Sequence, residues 1–194
     1  MSPYFTLGLE HITDLNGYDH ILFLLALCAP YTAKDWRRLL VLVTAFTVGH
    51  SLTLALAVLQ IVAAPSAWIE FLIPVTIVIT AGRNLVGPRD GKAGQALFNI
   101  PLVGSYIMAL GFGLIHGMGF SNYLRSLLGS EIVAPLFLFN VGLEVGQLVI
   151  VAIGLGVQWA LLRLWKGGLW WWTIGLSAIA GLVALRMAFE RWPM

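Results

Sequence analysis

The stretch that decides the fold is residues 38–62, RLLVLVTAFTVGHSLTLALAVLQIV. After Arg38 it has no formally charged side chain as far as Val62. A helix needs about 20 mostly apolar residues to cross the hydrocarbon core of a bilayer, so this stretch predicts a transmembrane helix. Its apolar residues are continuous, whereas a membrane β-strand alternates apolar and polar positions. A β-barrel is therefore excluded.

The rest of the chain has the same character. Of its 194 residues, 59% are hydrophobic and 10% are charged, against about 25% charged residues in soluble domains. We therefore predict an all-α, polytopic membrane helix bundle, forming a single integral membrane domain over residues 1–194 with a short outer segment at 1–16. Six predicted transmembrane helices cover residues 17–33, 38–62, 66–86, 98–121, 132–163 and 169–189.

The positive charges predict the orientation of these helices. Cytoplasmic loops of membrane proteins carry an excess of Lys and Arg. The loops after the first, third and fifth predicted helices hold eight of the eleven: Lys34, Arg37, Arg38, Arg83, Arg89, Lys92, Arg163 and Lys166. Both termini are therefore predicted to lie outside. The net charge of +2, with no basic stripe, argues against nucleic acid as a partner. The lipid bilayer is the expected partner, and a homo-oligomer is left open.

Two further features indicate packing. The single cysteine, Cys28, lies in an apolar run, which excludes a disulfide framework and predicts a core position. Small residues four apart, Gly113 with Gly117 and Ser177 with Gly181, predict close approach of their helices to neighbours.

The motif EHITDLNGYDH, residues 10–20, concentrates the ionisable side chains. The chain has four histidines and nine acidic residues, and this stretch holds five of them: Glu10, His11, Asp14, Asp19 and His20. The other two histidines, His50 and His116, lie inside predicted helices. Ionisable groups in a membrane are costly and usually face a bundle interior or a cavity. We therefore expect the motif to form the outer mouth of a polar path leading to the deeper histidines.

The fifth predicted helix adds polar residues in FNVGLEVGQL, residues 139–148. Asn140, Glu144 and Gln147 are spaced by four and then three, which places them on one helical face. A rise of about 1.5 Å per residue puts His50 roughly 18 Å from the cytoplasmic end of its helix. His116 and Glu144 fall at comparable depth, in the outer half of the bilayer or near its midplane.

These residues predict a metal site. Imidazole with carboxylate suits a divalent transition metal such as Ni, Zn, Co or Cu. Asn140 and Gln147 are interpreted either as groups that orient the ligands or as interhelical hydrogen-bonding residues. The predicted ligands are His11, Asp19, His20, His50, His116 and Glu144.

Four segments in order resemble the HupE/UreJ family of hydrogenase and urease accessory membrane proteins, in its second branch. They are GYDHILFLLAL (17–27), FTVGHSLTLALA (46–57), HGMGFS (116–121) and FNVGLEVGQL (139–148). The resemblance implies a bacterial inner-membrane protein of about six spans, associated with uptake of nickel or a related divalent metal.

The family's motifs also imply site residues. Its first motif, a His separated by five residues from Asp-His, corresponds to His11, Asp19 and His20, although seven residues intervene here. Its later motifs correspond to His116 and Glu144, and His50 lies in its GHS segment. The wider spacing predicts that His11, on the segment before the first helix, contributes less than Asp19 and His20.

Three functions remain open on the sequence. The first is a permease for a divalent transition metal, for which the inner half of the helices offers only Thr76 and Thr80 as polar candidates. The second is an intramembrane, zinc-type hydrolase in which Glu144 or Asp19 acts as general base to a metal-bound water. The third is an accessory protein that binds metal without transporting it.

Overall fold

The computed structural model describes residues 2–86, 102–127, 131–164 and 168–193. These ranges contain helices and no strand, which confirms the all-α prediction. A single 3₁₀ turn, Ala33–Asp35, precedes the third helix. The helices are α1 (Pro3–Thr13), α2 (Asp19–Cys28), α3 (Trp36–Val58), α4 (Ser66–Leu85), α5 (Leu102–Gly119), α6 (Ser121–Leu127), α7 (Val133–Leu164) and α8 (Gly168–Glu190).

The long helices have the length and the surface of membrane spans. Four helices are long and apolar enough to cross a bilayer: α3 with its leading turn, α4, α7 and α8. The pair α5–α6, bent by 53°, is a fifth candidate. Large apolar side chains cover the outside: Ile107, Leu182 and Phe189 are 66%, 70% and 72% exposed. Lipid is the solvent that such a surface requires. The chain is therefore a multi-pass membrane protein, while six spans and outward-facing termini stay predictions.

The predicted first span, residues 17–33, is shorter in the structure. Its helix, α2, has 10 residues, about 15 Å, which is half of a bilayer core. The hydropathy pattern missed this because it does not register the break before Asp19. The backbone N–H of Asn16 donates to Asp14 Oδ1 at 2.8 Å, an Asx turn that follows the end of α1.

The segment before the break is helical and lies within the bundle. Gly8 of α1 contacts the backbone of Phe139 in α7, and Gly142 of α7 contacts the backbone of Phe5. Further along α7, Gly154 contacts Leu25 of α2. The two short helices therefore follow α7 one after the other, and together they have about the length of one span.

Glycines bring α3 and α5 into backbone contact. A Cβ atom on Gly113 would overlap the carbonyl of Phe46, and one on Gly49 would overlap the carbonyl of Leu110. The close packing predicted for Gly113 and Gly117 is thus confirmed. Gly113 lies against the backbone nitrogen of His50 and Gly117 against its carbonyl. This close contact of α3 with α5, called the α3–α5 seam below, places His50 and His116 beside each other.

The predictions for α8 and Cys28 are also confirmed. Asn84 of α4 donates to the Ser177 hydroxyl at 3.0 Å, and Gly181 lies against Ala81 of α4. Cys28 is a free thiol in the main hydrophobic core. The same core contains Tyr31 and Phe46, and the Phe46 ring lies 5.1 Å from the ring of His116, so the core borders the histidines.

Candidate metal centre

Three histidines from three helices meet inside the bundle. His11 lies in the last turn of α1, His20 in the first turn of α2 and His50 in the middle of α3. One ring nitrogen from each lies within 4.8 Å of the others. His20 and His50 are buried and His11 is half-buried. The Phe139 ring stacks on His50 at 6.4 Å between centroids, so the group has an aromatic wall.

Four ring nitrogens of this group are buried without a hydrogen-bond partner among the described residues. They are Nε2 of His11, Nε2 of His20 and both ring nitrogens of His50. A buried polar atom without a partner costs about 1–3 kcal/mol. A bound cation would satisfy these atoms, and neutral imidazole nitrogens suit Ni, Zn, Co or Cu(II). The donor set therefore fits the predicted class of metal.

Asp19 is placed to orient His20. Asp19 Oδ1 lies 3.0 Å from His20 Nδ1 and accepts the His20 backbone N–H at 2.9 Å. The other oxygen, Oδ2, accepts from Arg191 Nη1 at 3.3 Å. With Nδ1–H directed at the carboxylate, the lone pair of Nε2 is free for a metal, as in carboxylate–histidine–metal triads. Asp19 thus stands behind His20, and its two oxygens have partners of their own.

Sequence reasoning did not foresee Arg191. It was counted only as one of the cations outside the predicted cytoplasmic loops. Arg191 directly follows α8, which ends at Glu190, and Asp19 begins α2. The sequence feature that could have predicted this ion pair is a cation at the predicted outer end of the last helix, on the same predicted side as the motif at 10–20. Only the packing of α8 against α2 and α4 shows that the two residues meet.

Asp19→Asn should weaken metal binding by about 10–100-fold, the usual effect of losing a partner that orients a ligand. The neutral amide can no longer hold the Nδ1–H tautomer of His20 electrostatically, and Arg191 loses its counter-charge. Isothermal titration of the detergent-solubilised protein with Ni²⁺ measures the change. Glu70→Gln, an exposed acidic position on α4 that does not line the groove at His11, is the control. Equal affinities for the Asp19 variant and wild type would contradict this role.

His116 lies beside the group of three. Its ring is 4.9 Å from the ring of His20, and its Nε2 is 3.0 Å from Thr76 Oγ1. The Thr76 hydroxyl donates to the Ile73 carbonyl at 2.7 Å, so it accepts the Nε2–H of His116. This tautomer leaves a lone pair on Nδ1, which is buried and has no partner among the described residues. Thr76, first considered as an exit residue, is thus the hydrogen-bond partner of His116.

The polar residues of α7 contact α3 rather than the histidine group. Glu144 accepts from the Thr44 hydroxyl at 2.7 Å, and Gln147 Oε1 accepts from the Thr47 hydroxyl at 2.6 Å. Asn140 has a buried amide oxygen with no partner among the described residues. Glu144 was predicted to join the histidines, and the group of three does not include it.

A groove connects the surface of the protein to His11. It has a volume of about 700 Å³ and is lined by Glu10, His11, Asp14, Asn16 and Tyr123, among others. Two carboxylates at the groove attract cations, and His11 belongs both to the groove and to the buried group. The motif at 10–20 therefore lies where the groove opens beside the buried histidines, and this position accounts for its many acidic and histidine residues.

The fold and the site define a multi-pass helical membrane protein with a histidine group suited to a divalent transition metal. The family model described as HupE / UreJ protein, the second of that name, matches residues 1–193. The chain therefore belongs to the HupE/UreJ family, which is linked to nickel and other metal transport or to accessory functions. No curated protein and no solved structure gives a significant match.

Proposed function

We propose that this protein is a permease of the bacterial inner membrane for a divalent transition-metal cation, with nickel as the leading substrate. His11, His20 and His50 bind the cation during its passage. The observation that carries the proposal is a set of three imidazoles that each bring one ring nitrogen within 4.8 Å of the others. Each of these rings has at least one buried nitrogen without a partner among the described residues.

The depth of the site supports transport. His50 lies eight residues before the end of α3 and fourteen after its start, or about 12 Å and 21 Å from the two ends. A cation bound there has already passed through the outer part of the bundle. The groove at Glu10, His11 and Asp14 supplies the access route from the predicted outer side.

The break between α1 and α2 is a second support. Non-helical backbone at membrane depth is tolerated where it lines a cavity or is buried in protein. Transporters place their binding sites at such interruptions, where half-helix ends coordinate the substrate. Here His11 ends one short helix and His20 begins the next, so the interruption itself contributes two of the three imidazoles.

The driving force follows from the charge of the substrate. The sequence has no Gly-rich phosphate-binding motif for a nucleotide. A membrane potential of 100 mV is worth about 2.3 kcal/mol per elementary charge, or about 4.6 kcal/mol for a dication. With the termini outside, the potential draws the cation from the groove towards the cytoplasm.

Uptake into proteoliposomes tests the proposal. Purified protein is reconstituted with a Ni²⁺-sensitive dye inside and a potential negative inside. Wild type should accumulate Ni²⁺, and His20→Ala should reduce the initial rate at least about 10-fold, since loss of a ligand weakens binding more than loss of its orienting partner does. Phe137→Leu, on the lipid-exposed surface, is the control.

Two results would contradict the proposal. If His20→Ala took up Ni²⁺ at the wild-type rate, transport would not depend on this site. Protein that binds Ni²⁺ tightly yet never moves it into the vesicles would identify a metal-binding accessory protein instead.

A further inference from the structure

We propose that Thr44, Thr47, Glu144 and Gln147 form a second cation-binding station between α3 and α7, on the exit side of the histidine group. This inference rests on the proposed permease function and extends it. It supplies the inner part of the route, for which the sequence offered only Thr76 and Thr80.

The position of the four residues defines the direction of the route. Thr47 precedes His50 by three residues on α3 and lies on the same side of the helix, about 4.5 Å further along it. Thr44 is another three residues back and lies about 120° round the helix from His50. On α7, Glu144 and Gln147 follow Phe139, whose ring stacks on His50. In the predicted topology α3 and α7 cross the membrane in opposite directions, so on both helices these residues lie on the cytoplasmic side of His50 and Phe139.

Some polar groups of the station are not fully hydrogen-bonded to other described residues. The Thr47 hydroxyl lies 2.6 Å from Gln147 Oε1 and 3.2 Å from the Val43 carbonyl, and its single hydrogen can serve only one of these acceptors well. Gln147 is 0% exposed, and its Nε2 has no partner among the described residues. A cation entering here could bind the Glu144 carboxylate, the two threonine hydroxyl oxygens and Gln147 Oε1, and the Gln147 Nε2 group could donate to a water molecule that accompanies the cation.

The charge of Glu144 points to a cation. It is a half-buried carboxylate in the interior of a spanning helix, and its recorded hydrogen bond is the one from Thr44 at 2.7 Å. No ion pair joins it to a basic residue within the described ranges. Carboxylates inside membrane spans are costly and mark ion pathways. Glu144 therefore provides a negative charge that a passing dication can neutralise.

The ligand chemistry suits release rather than capture. Carboxylate, hydroxyl and amide oxygens are harder ligands than imidazole, and borderline metals such as Ni²⁺ prefer the nitrogens. A cation would therefore bind the histidines more tightly than the oxygens. The station lowers the barrier for leaving the histidines without competing with them for the cation.

The test separates binding from transport. Glu144→Gln keeps the size of the side chain and can still hydrogen-bond with Thr44, but it removes the charge. Titration of the detergent-solubilised protein with Ni²⁺ should give an affinity within about 2-fold of wild type, because the histidines are intact. The initial rate of Ni²⁺ uptake into proteoliposomes should fall at least about 10-fold, as expected when a charge that stabilises the moving ion is lost.

Controls keep the outcome decisive. Glu70→Gln, near the outer start of α4, should transport at the wild-type rate. Glu144→Asp restores the charge and should recover part of the uptake even if Glu144→Gln folds poorly, which thermal unfolding without metal would reveal. Fast uptake by Glu144→Gln would exclude the station while leaving the permease in place. Loss of Ni²⁺ binding in Glu144→Gln would assign Glu144 to the histidine site, and a wild-type protein without uptake would remove both proposals.

Discussion

His50→Leu should abolish Ni²⁺ binding, with at least about 100-fold loss of affinity, while the metal-free protein becomes as stable as wild type or more stable. Outer partners of ligands are already worth about 10–100-fold in metal affinity, and a ligand is worth more. Both ring nitrogens of His50 are buried without partners among the described residues. Leucine removes these two atoms from an apolar site, which relieves a cost of about 1–3 kcal/mol.

Thermal unfolding with and without Ni²⁺ measures both effects at once. A ligand present at 100 times its Kd stabilises a protein by about 2.7 kcal/mol, and this increment should be present in wild type and absent in His50→Leu. Ser51→Ala, the neighbouring position on α3, should behave as wild type. His50→Gln keeps a polar side chain and should lose the metal without the gain in stability. Metal bound at wild-type stoichiometry by both His50 variants would remove His50 from the site.

Gly113→Ala should destabilise the bundle by about 1–3 kcal/mol, as overpacking does. The added Cβ atom would overlap the Phe46 carbonyl and press on the backbone nitrogen of His50. Because these are backbone atoms, relief requires α3 and α5 to separate. Metal affinity should fall as well, since His50 moves with α3.

Gly111→Ala is the matched comparison. It lies on the same helix, and a Cβ atom there meets no atom within 4 Å. Alanine favours a helix over glycine by about 1 kcal/mol, so this variant should be neutral or slightly stabilising and should bind Ni²⁺ normally. Thermal unfolding in detergent compares the two. Equal stabilities for the two variants would mean that the α3–α5 seam can open without cost.

The helical class and most of the spanning segments could be predicted from hydropathy alone. A long apolar run has to satisfy its backbone hydrogen bonds internally, which dictates a helix before any packing is known. The first span could not be predicted in this way. Residues 1–16 were interpreted as a short segment outside the membrane, whereas Gly8 and Gly142 allow residues 3–13 to pack on α7 as a helix.

The candidate site was predicted in composition but not in arrangement. His20, His50 and His116 were expected to converge because ionisable groups inside a membrane usually face a bundle interior or a cavity. His11 was expected to stand apart, on a loosely held segment. In the structure it lies on α1 with a ring nitrogen within 4.8 Å of those of His20 and His50, because contacts with α7, more than a hundred residues away, hold α1 in place. That His11 contributes less to function than Asp19 and His20 stays a prediction.

By itself, the sequence determined that the chain is a helical membrane protein and that its few ionisable residues belong to one polar region. Both follow from the cost of exposing apolar groups to water or charges to lipid, and this cost depends on residue type alone. Tertiary structure decided the roles within that region: Asp19 behind His20, His116 on Thr76, and Glu144 on Thr44. The contacts of His116 with Thr76 and of Glu144 with Thr44 join helices distant in the chain, and Asp19, adjacent to His20 on α2, is paired with Arg191 beyond α8. Such contacts depend on how closely packed glycines and crossing helices set side chains a few ångströms apart.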